Sequence, residues 1–340
     1  MKLLTDRRQQ LLQLIVDEYV TTAQPVGSSA IVDKYRLPFS PATVRNEMAR
    51  LEEEGYISQP HTSAGRVPTD RGYRYYVETL MREEALPEAV REMIRHQFHQ
   101  AARELEEWAR LAAAILAAHL QNVAIVSAPH SRFPRLRWLE LVGVHDYLAL
   151  LVVVLQEARV LQQALALDRP YDQEELTAIA RRLNDLYSGM TTEQIAAASA
   201  ELAPMEASVV DSAVTMLERA DEDEFEPSYL EGLRDLLRQP EFAQSERILN
   251  LLELLEGRNL PKAISLGGLS SHQVSIVIGG EHPVDAMRVC SVVSARYGES
   301  TGLRGIVTVV GPTRMHYPRS VSLVRYMSSL MDELLGVYFA

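Results

Sequence analysis

One stretch leaves the chain little freedom: Ser40-Pro41-Ala42-Thr43-Val44-Arg45-Asn46-Glu47-Met48-Ala49-Arg50-Leu51, closed by Gly55. The Ser40 hydroxyl can accept from the free N–H groups at a helix start, and Pro41 has no N–H to waste at the first helical position. Val44, Met48 and Leu51 recur at helical spacing and predict one buried face. Ala42, Asn46 and Ala49 fall on the opposite face, flanked by Thr43, Arg45 and Arg50, and Gly55 ends the helix after Glu54. Small residues, an amide and two guanidiniums at the front of a capped helix suit entry into a DNA major groove. There Asn can bond adenine bidentately, Arg can bond guanine or phosphate, and Ala can touch a thymine methyl. Taken alone, the helix is equally compatible with an ordinary amphipathic surface helix.

Its neighbours decide between these. Leu11, Leu12, Ile15, Val16 and Tyr19 predict a first amphipathic helix over residues 6–20, and Pro25-Val26-Gly27-Ser28-Ser29 opens a short second one ending at Tyr35. After Gly55, Tyr56-Ile57-Ser58-Gln59 alternates as a short strand. The loop Pro60-His61-Thr62-Ser63-Ala64-Gly65 leads to a returning strand at Arg66-Val67, with Gly65 supplying the positive φ that such a hairpin often needs. Three helices, the third exposed, then a hairpin, is the order of a winged helix-turn-helix. The candidate DNA contacts are Ser40, Ala42, Thr43, Arg45, Asn46, Ala49 and Arg50 on the helix. His61, Thr62, Ser63, Gly65 and Arg66 join them on the wing, whose hydroxyls and guanidinium suit phosphate or the minor groove.

A net charge of −12 argues against a nucleic-acid partner until its distribution is examined. Residues 1–82 hold 11 Lys and Arg against 10 Asp and Glu, and the remainder holds 23 against 36. The pattern is a locally basic reader on an acidic body that discourages loose DNA binding. The single cysteine, Cys290, permits neither an internal disulfide nor a zinc cluster, which fits a reducing cytoplasm. No signal peptide is expected, because charged and amide residues break the first apolar run. The run Leu148–Leu155 is too short to span a bilayer and predicts a buried strand.

Thr69-Asp70 caps a further helix carrying Tyr73, Tyr76, Val77 and Leu80, and Glu83–Pro87 marks a boundary. From Glu88 to about Gln121 no Gly or Pro interrupts a strongly helix-forming stretch, which predicts one long helix. Strands are expected at Val123–Val126, Leu136–Val144, Leu148–Gln156 and Val160–Leu167, with turns at His145-Asp146 and Glu157-Ala158. Residues 172–238 read as helices with caps at Asp172, Thr191 and Pro227-Ser228, and another helix follows around Ser245–Glu256. The acidic run Asp221-Glu222-Asp223-Glu224 reads as a solvated loop. Further strands are expected at Ala263–Leu266, Val274–Ile278, Arg288–Ala295 and Gly305–Val310, before a terminal helix from Arg319 to Tyr338. Strands at both ends of the body around a helical block predict one α+β domain carrying an insertion.

Catalytic signatures are sparse. No Gly-x-Ser-x-Gly elbow, phosphate-cradling glycine loop or His-Glu-x-x-His string occurs. His96 and His99 share a helix face with no third ligand clearly placed. Glu281-His282 imitates an acid/base pair, yet no third group supports it. Gly311-Pro312-Thr313-Arg314-Met315 either holds an anion or is a strand-to-helix turn with Arg314 paired internally.

Several strings closely resemble the HrcA family of heat-inducible transcription repressors. They are Pro25-Val26-Gly27-Ser28, Ser40 through Met48, Gly55 through Thr69, and Gly72-Tyr73-Arg74-Tyr75-Tyr76-Val77. Far downstream, Ile278-Gly279-Gly280-Glu281, Cys290-Ser291-Val292-Val293 and Gly311–Met315 agree as well; Pro41 departs from a second serine common in the family. The resemblance implies a multidomain α+β protein. Residues 1–86 would be a winged helix-turn-helix DNA-binding domain, 87–134 with 239–340 a GAF-like domain, and 135–238 an inserted dimerisation domain. It implies a homodimer that represses chaperone operons such as groE and dnaK at an inverted-repeat operator, CIRCE, on double-stranded DNA. It further implies activity maintained by the GroEL chaperonin and lost on heat shock, with no cofactor, no membrane partner and no enzyme activity. A small-molecule sensor using the GAF-like body as a pocket is the competing reading.

Overall fold

The computed structural model describes residues 4–61, 64–101, 104–131, 133–156, 159–198, 201–222, 228–242, 249, 251, 253–255 and 273–339. These form two compact units, one of Met1–Ala128, Pro227–Glu299 and Gly305–Ala340, the other of Pro129–Glu226 and Ser300–Arg304.

The first unit opens with helices α1 (Asp6–Thr22), α2 (Ser28–Tyr35) and α3 (Pro41–Glu53), then a two-stranded antiparallel hairpin, β1 (Ile57–Ser58) and β2 (Val67–Pro68). These elements, with the helix that follows, are called the reader below. Leu11, Leu12, Ile15 and Val16 of α1 meet Ile31 of α2 and Val44, Met48 and Leu51 of α3 in a small core. The helix α4 (Asp70–Tyr75) is capped by the Thr69 hydroxyl and continues as a wider turn over Tyr76–Leu80.

Glu88–Gln121 forms two helices, α5 (Glu88–Gln100) and α6 (Leu105–Leu120), where one was expected, because the backbone turns extended at Ala101. Helix propensity is a local quantity, whereas burying Ile94 and Phe98 on one segment and Trp108, Ala112 and Leu116 on the other is a tertiary demand. The body is an antiparallel sheet in the order β8 (Ser228–Glu231), β3 (Val123–Ser127), β11 (Leu303–Pro312), β10 (Cys290–Tyr297), β9 (Val274–Ile278). Helices α6 and α11 (Tyr317–Phe339) pack on it, and β3, β10 and β11 are buried along nearly their whole length. Ser228–Glu231 was expected to begin a helix at a Pro-Ser cap. It is instead an edge strand, paired from Ala124↔Glu231 to Ser127↔Ser228, and α10 (Leu233–Leu237) follows it. The helix expected at Ser245–Glu256 and the strand at Ala263–Leu266 lie largely or wholly outside the described residues.

In the second unit, β4 (His130–Ser131) precedes a meander of β5 (Leu136–His145), β6 (Leu148–Leu155) and β7 (Val160–Ala166). The Glu157-Ala158 turn lies outside the described residues. Helices α7 (Gln173–Tyr187), α8 (Thr192–Ala197) and α9 (Pro204–Glu222) follow, the first two capped as expected by Asp172 and Thr191. Asp221 and Glu222 thus close a helix where a loop was expected, while Asp223 and Glu224 are outside the described residues. Leu139, Leu141, Leu151, Val153 and Leu165 fill the covered face of the sheet, against Leu176 and Leu183 of α7 and Val209 and Leu217 of α9. Asn184 ties α7 to β5 by accepting from the Leu139 N–H and donating to its carbonyl, both at 2.8 Å. The other face is apolar, and among the described residues nothing is packed over it. Val142 lies opposite Leu150 and Trp138 opposite Val154, which in turn faces Val160. Trp138 is 45% exposed, Val142 44% and Val160 59%.

Candidate nucleic-acid interface

Helix α3 is built as its sequence dictates. The Ser40 Oγ accepts from the Thr43 N–H at 3.2 Å and lies 2.9 Å from the Thr43 hydroxyl, so both side chains are engaged in the cap. Gly55 at φ +77° turns the chain out of the helix, with the Tyr56 N–H returning to the Leu51 carbonyl at 2.9 Å. The main packing partners of α3 are α1, α2 and β1, all within the reader. Its other face is open: Ser40, Ala42, Arg45, Asn46 and Arg50 are exposed, while Thr43 and Ala49 are half-buried.

The charges are sorted. Glu47 takes Arg8 at 3.0 Å and Arg7 at 3.6 Å, Glu54 takes Arg8 at 3.0 Å, and Glu18 takes Lys34 at 2.5 Å. Among the described residues, Arg45 and Arg50 have no ion pair. Glu47, Glu52 and Glu54 are therefore spent on the back and sides of α3, and the front of the open face, from Ala42 to Arg50, keeps a positive potential; Glu53, exposed and with no ion pair among the described residues, shares that face one turn further on, at the end of the helix. Arg36, a further cation with no ion pair among the described residues, is exposed in the turn between α2 and α3, at φ +49°. That left-handed position, rare outside glycine, is set by the turn itself and carried no sequence signal.

The β1–β2 hairpin is arranged differently from expectation. Gly65 does not adopt a positive φ; it lies against the backbone of Val26, where a Cβ would come within 2.4 Å of the Val26 carbonyl carbon. Only a glycine permits the Val26↔Arg66 bridge, closed by reciprocal backbone bonds of 2.8 Å, which ties the hairpin to the turn before α2. Arg66 ion-pairs with Glu52 at 2.9 Å, its side chain only 18% exposed. It reaches phosphate from here only by leaving that partner. His61 is exposed, and Thr62 and Ser63 lie outside the described residues.

The remaining candidate chemistry is absorbed by structure. Glu281 binds Arg74 bidentately. Burial opposes its ionisation, but the guanidinium and the Ile278 N–H outweigh that and hold its carboxyl below the usual range. Arg314 is paired internally, with Glu241 and with the Gln239 side-chain oxygen at 2.9 Å. Burial pushes the Cys290 thiol up to about 12. Among the described residues, no group of three or more His, Cys, Asp or Glu is placed to hold a metal ion, and no helix is long and apolar enough to cross a membrane.

Comparison with known proteins agrees with these features. Residues 106–321 match the family model described as the HrcA protein C-terminal domain. The chain is 44% identical to the heat-inducible transcription repressor HrcA of Roseiflexus castenholzii, over 98% of this chain and 95% of that one. Identity is 43% to its namesake in Chloroflexus aggregans, over 98% and 93%, and 40% to that of Dehalococcoides mccartyi, over 98% and 96%. A crystal structure described only as a hypothetical protein superposes with a TM-score of 0.65 at 26% identity, covering 98% of this chain and 99% of that one. Near-complete coverage at this identity, with the family model across the body, leaves one assignment: the chain belongs to the HrcA family.

Proposed function

We propose that the protein represses transcription of heat-shock chaperone operons, groE and dnaK among them, by occupying an inverted-repeat CIRCE operator as a homodimer. The GroEL chaperonin keeps it active. One observation carries the reading: the front of α3 presents Ala42, Arg45 and Asn46 bare, with the neighbouring acids Glu47, Glu52 and Glu54 paired elsewhere. The names of the relatives, heat-inducible transcription repressors, support repression and its link to heat. On this reading residues 1–86 are a winged helix-turn-helix, 87–134 with 239–340 a GAF-like body, and 135–238 a dimerisation insert.

Arg45 and Asn46 read base edges, while Ser40, Thr43, Arg50 and the wing residues His61, Thr62, Ser63, Gly65 and Arg66 approach the backbone. Ala42 and Ala49 let the helix sit close to the bases. The uncovered face of β5–β6–β7 suits a second copy of itself, because an isologous contact needs a self-complementary apolar patch. Two-fold symmetry then requires an inverted repeat with half-sites about one helical turn (~34–36 Å) or a multiple apart. Bound there, the dimer blocks the polymerase. During heat shock, unfolded proteins occupy the chaperonin, the active population of repressor falls and the operons open.

A footprint on the chaperone promoters of the encoding genome, with and without GroEL, tests this. Two symmetric protected patches, strengthened by GroEL, are expected; protection of no inverted repeat contradicts the reading.

A further inference from the structure

Two strings of the body, Ile278-Gly279-Gly280-Glu281 and Gly311-Pro312-Thr313-Arg314-Met315, lie outside the candidate DNA contacts, yet both close on the reader. Arg74, on α4, is held at three places by the first string and the strand that leads into it. Its Nε donates to Glu281 Oε1 at 2.7 Å, one Nη bonds the other carboxylate oxygen, and the same Nη donates to the Ile276 carbonyl at 2.7 Å. Glu281 is itself oriented by the Ile278 N–H at 2.9 Å. One turn earlier on α4, Asp70 accepts from the Gly280 N–H at 2.7 Å. Gly279 has φ +49°, a backbone conformation that favours glycine, and a Cβ there would fall 2.4 Å from the Asp70 carboxylate and push it off the Gly280 N–H. From the second string, Arg314 joins Glu241 and also donates to the Val20 carbonyl at the end of α1 at 3.4 Å. Between the two clamps the Tyr73 ring lies 5.8 Å from that of Tyr317, both rings fully buried.

We infer that Asp70 and Arg74 are positioning residues for operator recognition: they seat the reader on the body in one attitude, and thereby make the dimer selective for one half-site spacing. The inference rests on the dimeric-repressor reading above. Adding one base pair between half-sites displaces one reader's target by about 3.4 Å and rotates it by roughly 35°. Two readers held rigidly gain the intramolecular second contact only when separation and rotation both match. Readers on a loose tether engage many spacings, each at lower effective concentration. Three bonds to one guanidinium, with a carboxylate pinned to a glycine turn beside it, remove both the hinge and the twist of α4 against the sheet edge.

The test selects an inverted repeat from a random duplex pool with the full-length wild-type chain in the presence of GroEL, which is kept in every later measurement. Binding is then measured on duplexes lengthened or shortened by one to five base pairs between half-sites, and on a single half-site. The wild type is expected to prefer one spacing by about 10-fold or more. Gly279→Ala, which alters no atom of the reader, and Arg74→Ala are expected to flatten that preference to about 3-fold or less while half-site binding stays within about 2-fold. Glu281→Gln keeps the Ile278 contact and loses the charge, and should fall between. Variants as strict as the wild type overturn the inference alone. Loss of half-site binding in Gly279→Ala also overturns it, since the seat would then be sustaining the reader's fold. A wild type indifferent to inverted repeats overturns the dimeric reading with it.

Discussion

Two surfaces of this protein are left uncovered by the described residues, and they are made of opposite materials. The front of α3 is small side chains, one amide and arginines that have no ion pair among the described residues, while Glu47, Glu52 and Glu54 are drawn off to Arg7, Arg8 and Arg66. The open face of β5–β6–β7 is Trp138, Val142, Leu150, Val152, Val154 and Val160, with Glu140 and Gln162 as its main polar interruptions. A surface that concentrates positive charge and hydrogen-bond donors around a shallow strip gains by meeting a polyanion, and loses if buried against apolar groups. A surface of β-branched and aromatic side chains gains by leaving water, and gains most against a copy of itself. The difference teaches that exposure alone says little about a partner; what each surface would lose in the wrong company says more.

That contrast is open to attack at four points, taken from the largest effect. The covered and open faces of the same strand should respond differently. Leu151→Ala, beneath the sheet, should cost about 2–5 kcal/mol of the second unit's stability in a denaturant melt, because it leaves a cavity. Its neighbour Val152→Lys should leave the melt of the dilute protein little changed. It should weaken self-association by about 100-fold in sedimentation equilibrium, since each copy would have to desolvate an ammonium, even one set opposite Glu140, against the apolar side chains of the other. A sedimentation profile indifferent to Val152→Lys would remove that face from the interface. On the other surface, Arg45→Ala should cost about 1–3 kcal/mol on operator duplex, far less on scrambled duplex, and nothing in self-association. The smallest effect concerns the wing. Glu52→Gln frees Arg66, and the slope of log affinity against log salt should steepen by roughly 0.9; an unchanged slope would leave Arg66 with a purely structural role.

Much of this was legible in the residue order, and the exceptions share a cause. The α3 cap, its buried stripe and its stop are all written within 16 residues, Ser40 to Gly55, so local chemistry suffices. The caps at Asp172 and Thr191 are local in the same way. Gly65 was misread because a glycine in a hairpin signals either left-handed backbone or close approach, and only the fold reveals Val26 lying against it. Ser228–Glu231 is a strand because β3 offers it a ladder, a partner about a hundred residues away that no local cap signal reports. Glu281 resembled half of an acid/base pair in the sequence; in the fold its charge is committed to Arg74, 207 positions earlier. The candidate DNA-facing residues follow the same division. Arg45 and Asn46 are where the helical repeat puts them, whereas the pairing of Arg66 with Glu52 depends on the hairpin folding back across α3.

The central claim is that the open face of α3 meets bases, and Asn46 tests it most directly. Affinities of the wild type and Asn46→Ala are to be compared across duplexes in which each operator base pair is replaced in turn. The account predicts that the variant loses discrimination at one symmetry-related position in each half-site, where a wrong base costs the wild type about 1–3 kcal/mol, and keeps it elsewhere. Identical base preferences in the two proteins, with equal loss of affinity on operator and random DNA, would contradict it.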